Sequence, residues 1–123
     1  MTNPCVFCEI VAKRSPAKIL ATNYNYDSLV IVPLNPVVKG HVIVIPRSHV
    51  ENAICGPEIA GEVMEAAVSF VEGRNNYNTF YKSVNFITSV GIPATQSINH
   101  LHIHIVPRAL GDGLMLPWTN QKV

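Results

Sequence analysis

Residues 100–106 read His-Leu-His-Ile-His-Ile-Val, which sets three of the chain's five histidines at alternate positions of an otherwise apolar run. In an extended strand successive side chains point to opposite faces, so His100, His102 and His104 share one face while Leu101, Ile103 and Ile105 turn to the other. The second face suits a core. A buried imidazole needs a hydrogen bond or a metal to offset its desolvation, so three aligned rings point to a polar cleft and to chemistry. Alternate residues on a strand stand about 7 Å apart, too far for neighbouring imidazoles to join one small tetrahedral site undistorted. Different histidines can therefore serve different sites.

The 123 residues are expected to form one domain, residues 1–123. Hydrophobic residues make up 48% and charged ones 14%, a globular and rather apolar balance with room for a subunit interface as well as a core. Nine Lys and Arg against eight Asp and Glu, scattered along the chain, give no footprint for gripping a nucleic-acid backbone, although a small anion fits. The longest apolar runs, such as Leu29 to Leu34, are too short to span a bilayer, and the first residues lack the pattern of a signal peptide. A cytoplasmic protein without membrane or nucleic-acid partners is expected. Three cysteines, two of them as Cys5-x-x-Cys8, suit reduced thiols and metal binding better than a disulfide framework. Cys55 reads as a small buried or partly buried residue.

Local patterns predict a short helical turn over Glu9 to Lys13 ended by Ser15-Pro16, an edge strand over Ala17 to Thr22, and a strand at Leu29 to Val32 covered on both faces. A second buried strand is expected from His41 to Ile45, stopped by Pro46. Ile59, Val63, Ala66, Ala67 and Phe70 form one stripe of the single long helix, Pro57 to Glu72, with Gly73 as its left-handed terminator. A strand near Ser83 to Thr88 and the histidine strand complete the chain. The class is α+β, an antiparallel sheet with one long helix and a short N-terminal one.

The run at His100 to Val106 matches the signature of the histidine triad proteins, in which three histidines alternate with apolar residues. Asn35-Pro36-Val37-Val38-Lys39-Gly40-His41-Val42-Ile43-Val44-Ile45-Pro46 resembles the segment that precedes it there, as do Cys5-Val6-Phe7-Cys8, Gln96-Ser97, Val106-Pro107-Arg108 and Gly111-Asp112-Gly113. The chain thus looks like a member of that family, in the zinc-containing bacterial-type branch of Hint-like nucleotide hydrolases. The resemblance implies an antiparallel meander whose subunits join sheets and helices into a homodimer. It also assigns roles: His102 attacks the α-phosphate of a nucleotide conjugate to give a nucleotidyl-histidine, held by the His100 carbonyl. His104 hydrogen-bonds a phosphate oxygen, His41 orients the triad, and Ser97 donates to the phosphate or the leaving atom. Imidazole suits this work, being nucleophilic when neutral, and its phosphoramidate is later cleaved by water.

Around these residues the resemblance places the nucleotide against Ser89, Thr95, Gln96, Ser97, His102 and His104, with Phe7, Ile10 and Ile19 as apolar wall. Backbone amides between Pro93 and Ser97 could cradle the phosphate. The sequence departs from its relatives where Thr95 replaces a usual glycine, Ser89 a common asparagine, and Pro33 an acidic residue that accepts ribose hydroxyls. These changes would weaken or reshape phosphate and ribose binding. Leu114-Met115-Leu116-Pro117-Trp118 would shape substrate choice or pack at the subunit interface. The cysteine pair, His49 and His100 would form a closed Cys₂His₂ set for structural zinc, Cys5, Cys8, His49 and His100, leaving His102 free and requiring no catalytic metal.

Two further readings stand beside this one. The first is a nucleotide-binding regulatory scaffold with little turnover. The second is a catalytic metal centre built on the histidines, for which the motif lacks a paired carboxylate.

Overall fold

The two β-branched runs pair with each other at the middle of the sheet, because only there are both faces of a strand covered. The computed structural model describes residues 5–77 and 79–119. Its elements are α1 (Val6–Val11), β1 (Ile19–Asn23), β2 (Ser28–Ile31), β3 (Val42–Pro46), α2 (Pro57–Asn75), β4 (Val84–Ile87), a 3-10 turn (Ile92–Ala94) and β5 (Ile103–Pro107). The five strands lie in the order β1-β2-β3-β5-β4, antiparallel at every pairing. The first three meander. After α2 the chain lays β4 on the far edge, and β5 returns between β4 and β3, so the histidine strand is central.

Alternation along β2, β3 and β5 builds two cores. Val30, Val42, Val44, Leu101, Ile103 and Ile105 pack on the face covered by α2, against Val63, Ala66 and Ala67. Leu29, Ile31, Ile43 and Ile45 pack on the other face with Phe7 and Ile10 of α1. Each of the Val, Leu and Ile side chains among these, nearly or fully enclosed, contributes about 1.5–3 kcal/mol of burial.

Helix α1 begins earlier than its sequence pattern suggested, because the Cys5 Sγ accepts a hydrogen bond from the Cys8 amide at 3.4 Å and caps the first turn. It stops before Ser15-Pro16. Lys13 adopts a left-handed φ of 63°, and the Lys13 and Arg14 amides donate back to Ile10 and Glu9 carbonyls, a Schellman ending. Helix α2 runs past Gly73 to Asn75; Gly73 keeps an ordinary φ and does not terminate it. Cys55 is exposed rather than buried.

Gly40 aims β3. It holds φ +90°, its missing Cβ would collide with the Phe80 ring, and its carbonyl accepts the Tyr81 hydroxyl at 2.8 Å. Only glycine meets both demands at low strain, and the next residue is His41. The histidine run also differs in detail from a continuous strand. Ladder pairing begins at Ile103, while the Leu101 amide donates instead to the Val50 carbonyl at 2.7 Å. The alternation of faces survives this: Leu101, Ile103 and Ile105 are 1%, 2% and 0% exposed on the α2 side. Among the described residues no helix is long and apolar enough to cross a membrane.

Candidate active site

Each ring of the cluster has a partner that fixes its proton. The His102 Nδ1 lies 2.8 Å from the His100 carbonyl, an acceptor only, so Nδ1 carries the hydrogen and Nε2 keeps a bare lone pair. The Val37 amide donates to the His41 Nδ1 at 3.1 Å, so the neutral His41 ring carries its proton on Nε2. That proton is donated to the His104 Nδ1 at 2.9 Å, which leaves His104 with Nε2–H as a donor. The His100 Nε2–H donates to the Pro46 carbonyl at 3.0 Å, which leaves a bare Nδ1 beside Cys5, Cys8 and His49. The result is one bare ring nitrogen on His102 beside one hydrogen-bond donor on His104, ring centroids 5.1 Å apart.

Desolvation keeps these rings neutral. Burial lowers the pKa of His41, His100 and His102, the last despite its bond to the His100 carbonyl, which pulls the other way. His104 is pushed down to about 4, by burial first and then by its neighbours His102 and His41. Between about pH 6.5 and 4 the unfolded chain binds a proton at this position that the folded chain refuses, so stability falls as the pH falls through that window. Through His104 alone the fold loses up to about 3 kcal/mol between neutral pH and pH 4. Urea unfolding of wild type and His104→Asn at pH 7 and 4.5 checks this; the wild type should lose more stability on acidification, and equal losses would refute it.

His102 and His104 stand where two cavities meet. The larger, about 820 Å³, is lined by Phe7 and Ile10 of α1, by Lys18, by Ile31 to Asn35, and by Thr95, Ser97 and Ile98. The smaller, about 290 Å³, is lined by His41, Asn85, Ser89, Thr95, Arg108 and the Leu114 to Leu116 segment. Phe7 sets its ring edge-on to His102 at 5.2 Å and to His100 at 5.6 Å. Thr88, unnoticed in the sequence, donates its hydroxyl to the His102 carbonyl at 2.8 Å and so braces the strand.

The structure thus brings His41, His102, His104, Ser97, Ser89, Thr95, Phe7 and Ile10 to these cavities, but two expected residues lie elsewhere. Ile19 is 42% exposed on β1 and lines neither cavity. Gln96 is buried, its amide group donating to the Glu51 and Ile98 carbonyls and accepting from the Gly91 amide, so it holds the loop rather than a ligand. The expected amide nest is also mostly spent. Ala94, Thr95 and Gln96 amides already donate to Gly91 and Ile92 carbonyls, which leaves the Ser97 amide among those after Pro93. Thr95 holds a left-handed φ of 73°, a conformation that costs a β-branched residue roughly 1–2 kcal/mol and that glycine adopts freely.

Arg108 and Asn85 had no assigned role. Arg108 donates to both Asp112 oxygens, at 2.8 and 3.1 Å, to Asn85 at 2.7 Å and to the Leu114 carbonyl at 3.0 Å. The guanidinium, with the Leu114 and Ala109 amides, holds the Asp112 carboxyl well below the usual carboxylate range. This clamp lays Leu114, Met115 and Leu116 against the smaller cavity.

A second cluster lies behind the first. The Cys5 Sγ, Cys8 Sγ, His49 Nδ1 and His100 Nδ1 all fall within 4.8 Å of one another. Individual separations are 3.4 Å for Cys5 to His100, 3.3 Å for Cys8 to His49, 3.6 Å for Cys8 to His100 and 3.1 Å for His49 to His100. A tetrahedral zinc with ordinary Zn–S and Zn–N bonds sets its ligands about 3.3–3.8 Å apart. The donor set fits. Four ligands close such an ion, and the Pro46 carbonyl orients His100 from outside, as metal-bound imidazoles require.

Residues 13–110 match the HIT domain. The chain belongs to the HIT family. Beyond the domain, an adenylylsulfatase of Arabidopsis thaliana is 32% identical across the whole of this chain, which spans 60% of that enzyme. An adenosine 5'-monophosphoramidase of Schizosaccharomyces pombe is 29% identical over 97% of this chain and 86% of its own. Among solved structures, a Streptococcus mutans protein superposes with a TM-score of 0.84 at 27% identity, covering all of this chain and 77% of that one. A zinc-bound histidine triad family protein from Mycobacterium smegmatis is 28% identical with a TM-score of 0.74, covering 91% of this chain and 80% of that one. The five-stranded antiparallel sheet with one long and one short helix is therefore the HIT fold.

Proposed function

We propose that this HIT protein is a nucleotidyl hydrolase or transferase that acts on the α-phosphate of nucleoside phosphoramidates, dinucleoside polyphosphates or related nucleotide conjugates. The observation that carries this reading is the proton order of the cluster, one bare Nε2 on His102 beside one Nε2–H on His104, at the meeting of two cavities. The nucleoside half of a substrate would occupy the larger cavity and the leaving group the smaller, with phosphorus between them.

The His102 Nε2 attacks phosphorus, a P–N bond forms, and the bond to the leaving group breaks. The ring gains positive charge as it does so, and the His100 carbonyl on its Nδ1–H stabilises that charge. The His104 Nε2–H donates to a phosphate oxygen, with His41 fixing its tautomer, and the Ser97 hydroxyl donates a hydrogen bond to the departing atom, which takes its proton from solvent. Water then attacks the same phosphorus and gives its proton to solvent, the P–N bond breaks, and His102 returns neutral. No step needs a metal at phosphorus. Cys5, Cys8, His49 and His100 would hold a structural zinc that ties α1 to the strand before the nucleophile. A homodimer is supported by β4 ending the sheet and by Met64 and Val68, more than a third exposed on α2.

The activities of the plant and yeast relatives, an adenylylsulfatase and an adenosine 5'-monophosphoramidase, support the same class of reaction. Incubation with adenosine 5'-phosphoramidate should release AMP with multiple turnovers. Tight binding without release would move the protein to the scaffold reading.

A further inference from the structure

The larger cavity is built differently from a site that grips a plain ribose. A vicinal diol is most strongly held by a carboxylate, which accepts both hydroxyl protons. No Asp or Glu is among the described residues that line this cavity, and Pro33, at the turn after β2, offers no side-chain acceptor. Its one formally charged side chain is Lys18. The Val32 amide donates to the Lys18 carbonyl at 3.0 Å, so Lys18 stands directly across from the turn into Pro33. None of the ion pairs among the described residues involves its ammonium.

Lys18, exposed and in none of the ion pairs among the described residues, thus lines the same cavity as Ser97, His102 and His104, the groups proposed above to meet a phosphate. A ligand that meets both Lys18 and these groups carries two anionic groups on one nucleoside. Nucleotide sites elsewhere obey the same rule: a carboxylate at the ribose selects free hydroxyls, and a cation in its place admits a phosphate. The volume of about 820 Å³ accommodates the larger ligand.

Resting on the function proposed above, we propose that the nucleoside half of this cavity takes a nucleotide whose ribose bears a second phosphate, at the 2' or 3' position, with Lys18 as its counter-charge. Lys18 is exposed, so its replacement leaves both cores intact. Calorimetry on the full chain with AMP, adenosine 2',5'-bisphosphate and adenosine 3',5'-bisphosphate tests the proposal and tells the two positions apart.

One bisphosphate should bind wild type about tenfold more tightly than AMP, the gain expected of one charge-assisted contact. Lys18→Ala should abolish that advantage and Lys18→Glu should reverse it, each read as the ratio of bisphosphate to AMP affinity on the same variant. Equal affinities for all three ligands on wild type, or an advantage that survives Lys18→Ala, would overturn the proposal while leaving the α-phosphate chemistry standing. Failure of AMP itself to bind would overturn both.

Discussion

Replacing His102 with glycine should lower turnover of adenosine 5'-phosphoramidate roughly 10⁴-fold or more while the protein stays folded. The size follows from the role. If His102 Nε2 is the atom that bonds to phosphorus, its removal leaves only the binding and oxyanion-type contacts of His104 and Ser97, which do not replace a nucleophile. Stability should change by no more than about 1–2 kcal/mol, because the ring already borders two open cavities and what is lost is one hydrogen bond to the His100 carbonyl and the ring contacts with Phe7 and His104. Urea unfolding and steady-state kinetics separate the two effects. A variant that keeps more than a tenth of wild-type turnover would remove His102 from the chemistry.

Replacing Cys8 with alanine should have the opposite balance, a large loss of stability with an indirect loss of rate. Three donors remain, and an open site binds zinc far more weakly than a closed one. Helix α1 is held to the sheet by the cluster and by Phe7 and Ile10, so losing the metal would loosen one of the two cores. We expect the melting temperature to fall by about 10 °C or more, as several kcal/mol require in a chain of this length. Turnover should fall too, since His100 gives its ring to the cluster and its carbonyl to His102. Metal analysis should give one zinc per chain in wild type and in His102→Gly, and none in Cys8→Ala. Equal melting temperatures for wild type before and after chelation would refute a structural metal.

Much of this was legible in residue order because face alternation is a local property. Leu101, Ile103 and Ile105 reach the α2 core as their spacing predicted, even though the ladder begins late, since side-chain direction depends on extended backbone rather than on which carbonyl is paired. Less local features were hidden. Insertion of β5 between β3 and β4 is a choice among long-range pairings that no strand pattern encodes. The early start of α1 depends on a thiol acting as cap, and thiols are weak acceptors with little positional preference. The Val37 amide that sets the His41 tautomer is backbone, so no residue type signals it. Gln96 looked like a ligand contact by position, but its side chain has the hydrogen-bonding capacity of a peptide group and is spent on the loop. Arg108 and Asn85 meet only in the folded sheet, one on each side of the β4–β5 pairing.

The central claim is that a neutral imidazole with one bare nitrogen, His102, forms a covalent bond to phosphorus. The direct measurement is a rapid alkaline quench of the full-length protein with adenosine 5'-phosphoramidate, followed by intact mass and fragment mapping of the adduct, since a P–N bond survives base better than acid. One adenylyl group per chain, located on His102 and absent from His102→Gly, is the expected result. An adduct on another residue, or turnover with no adduct at any quench time and oxygen exchange showing direct attack by water, would contradict it.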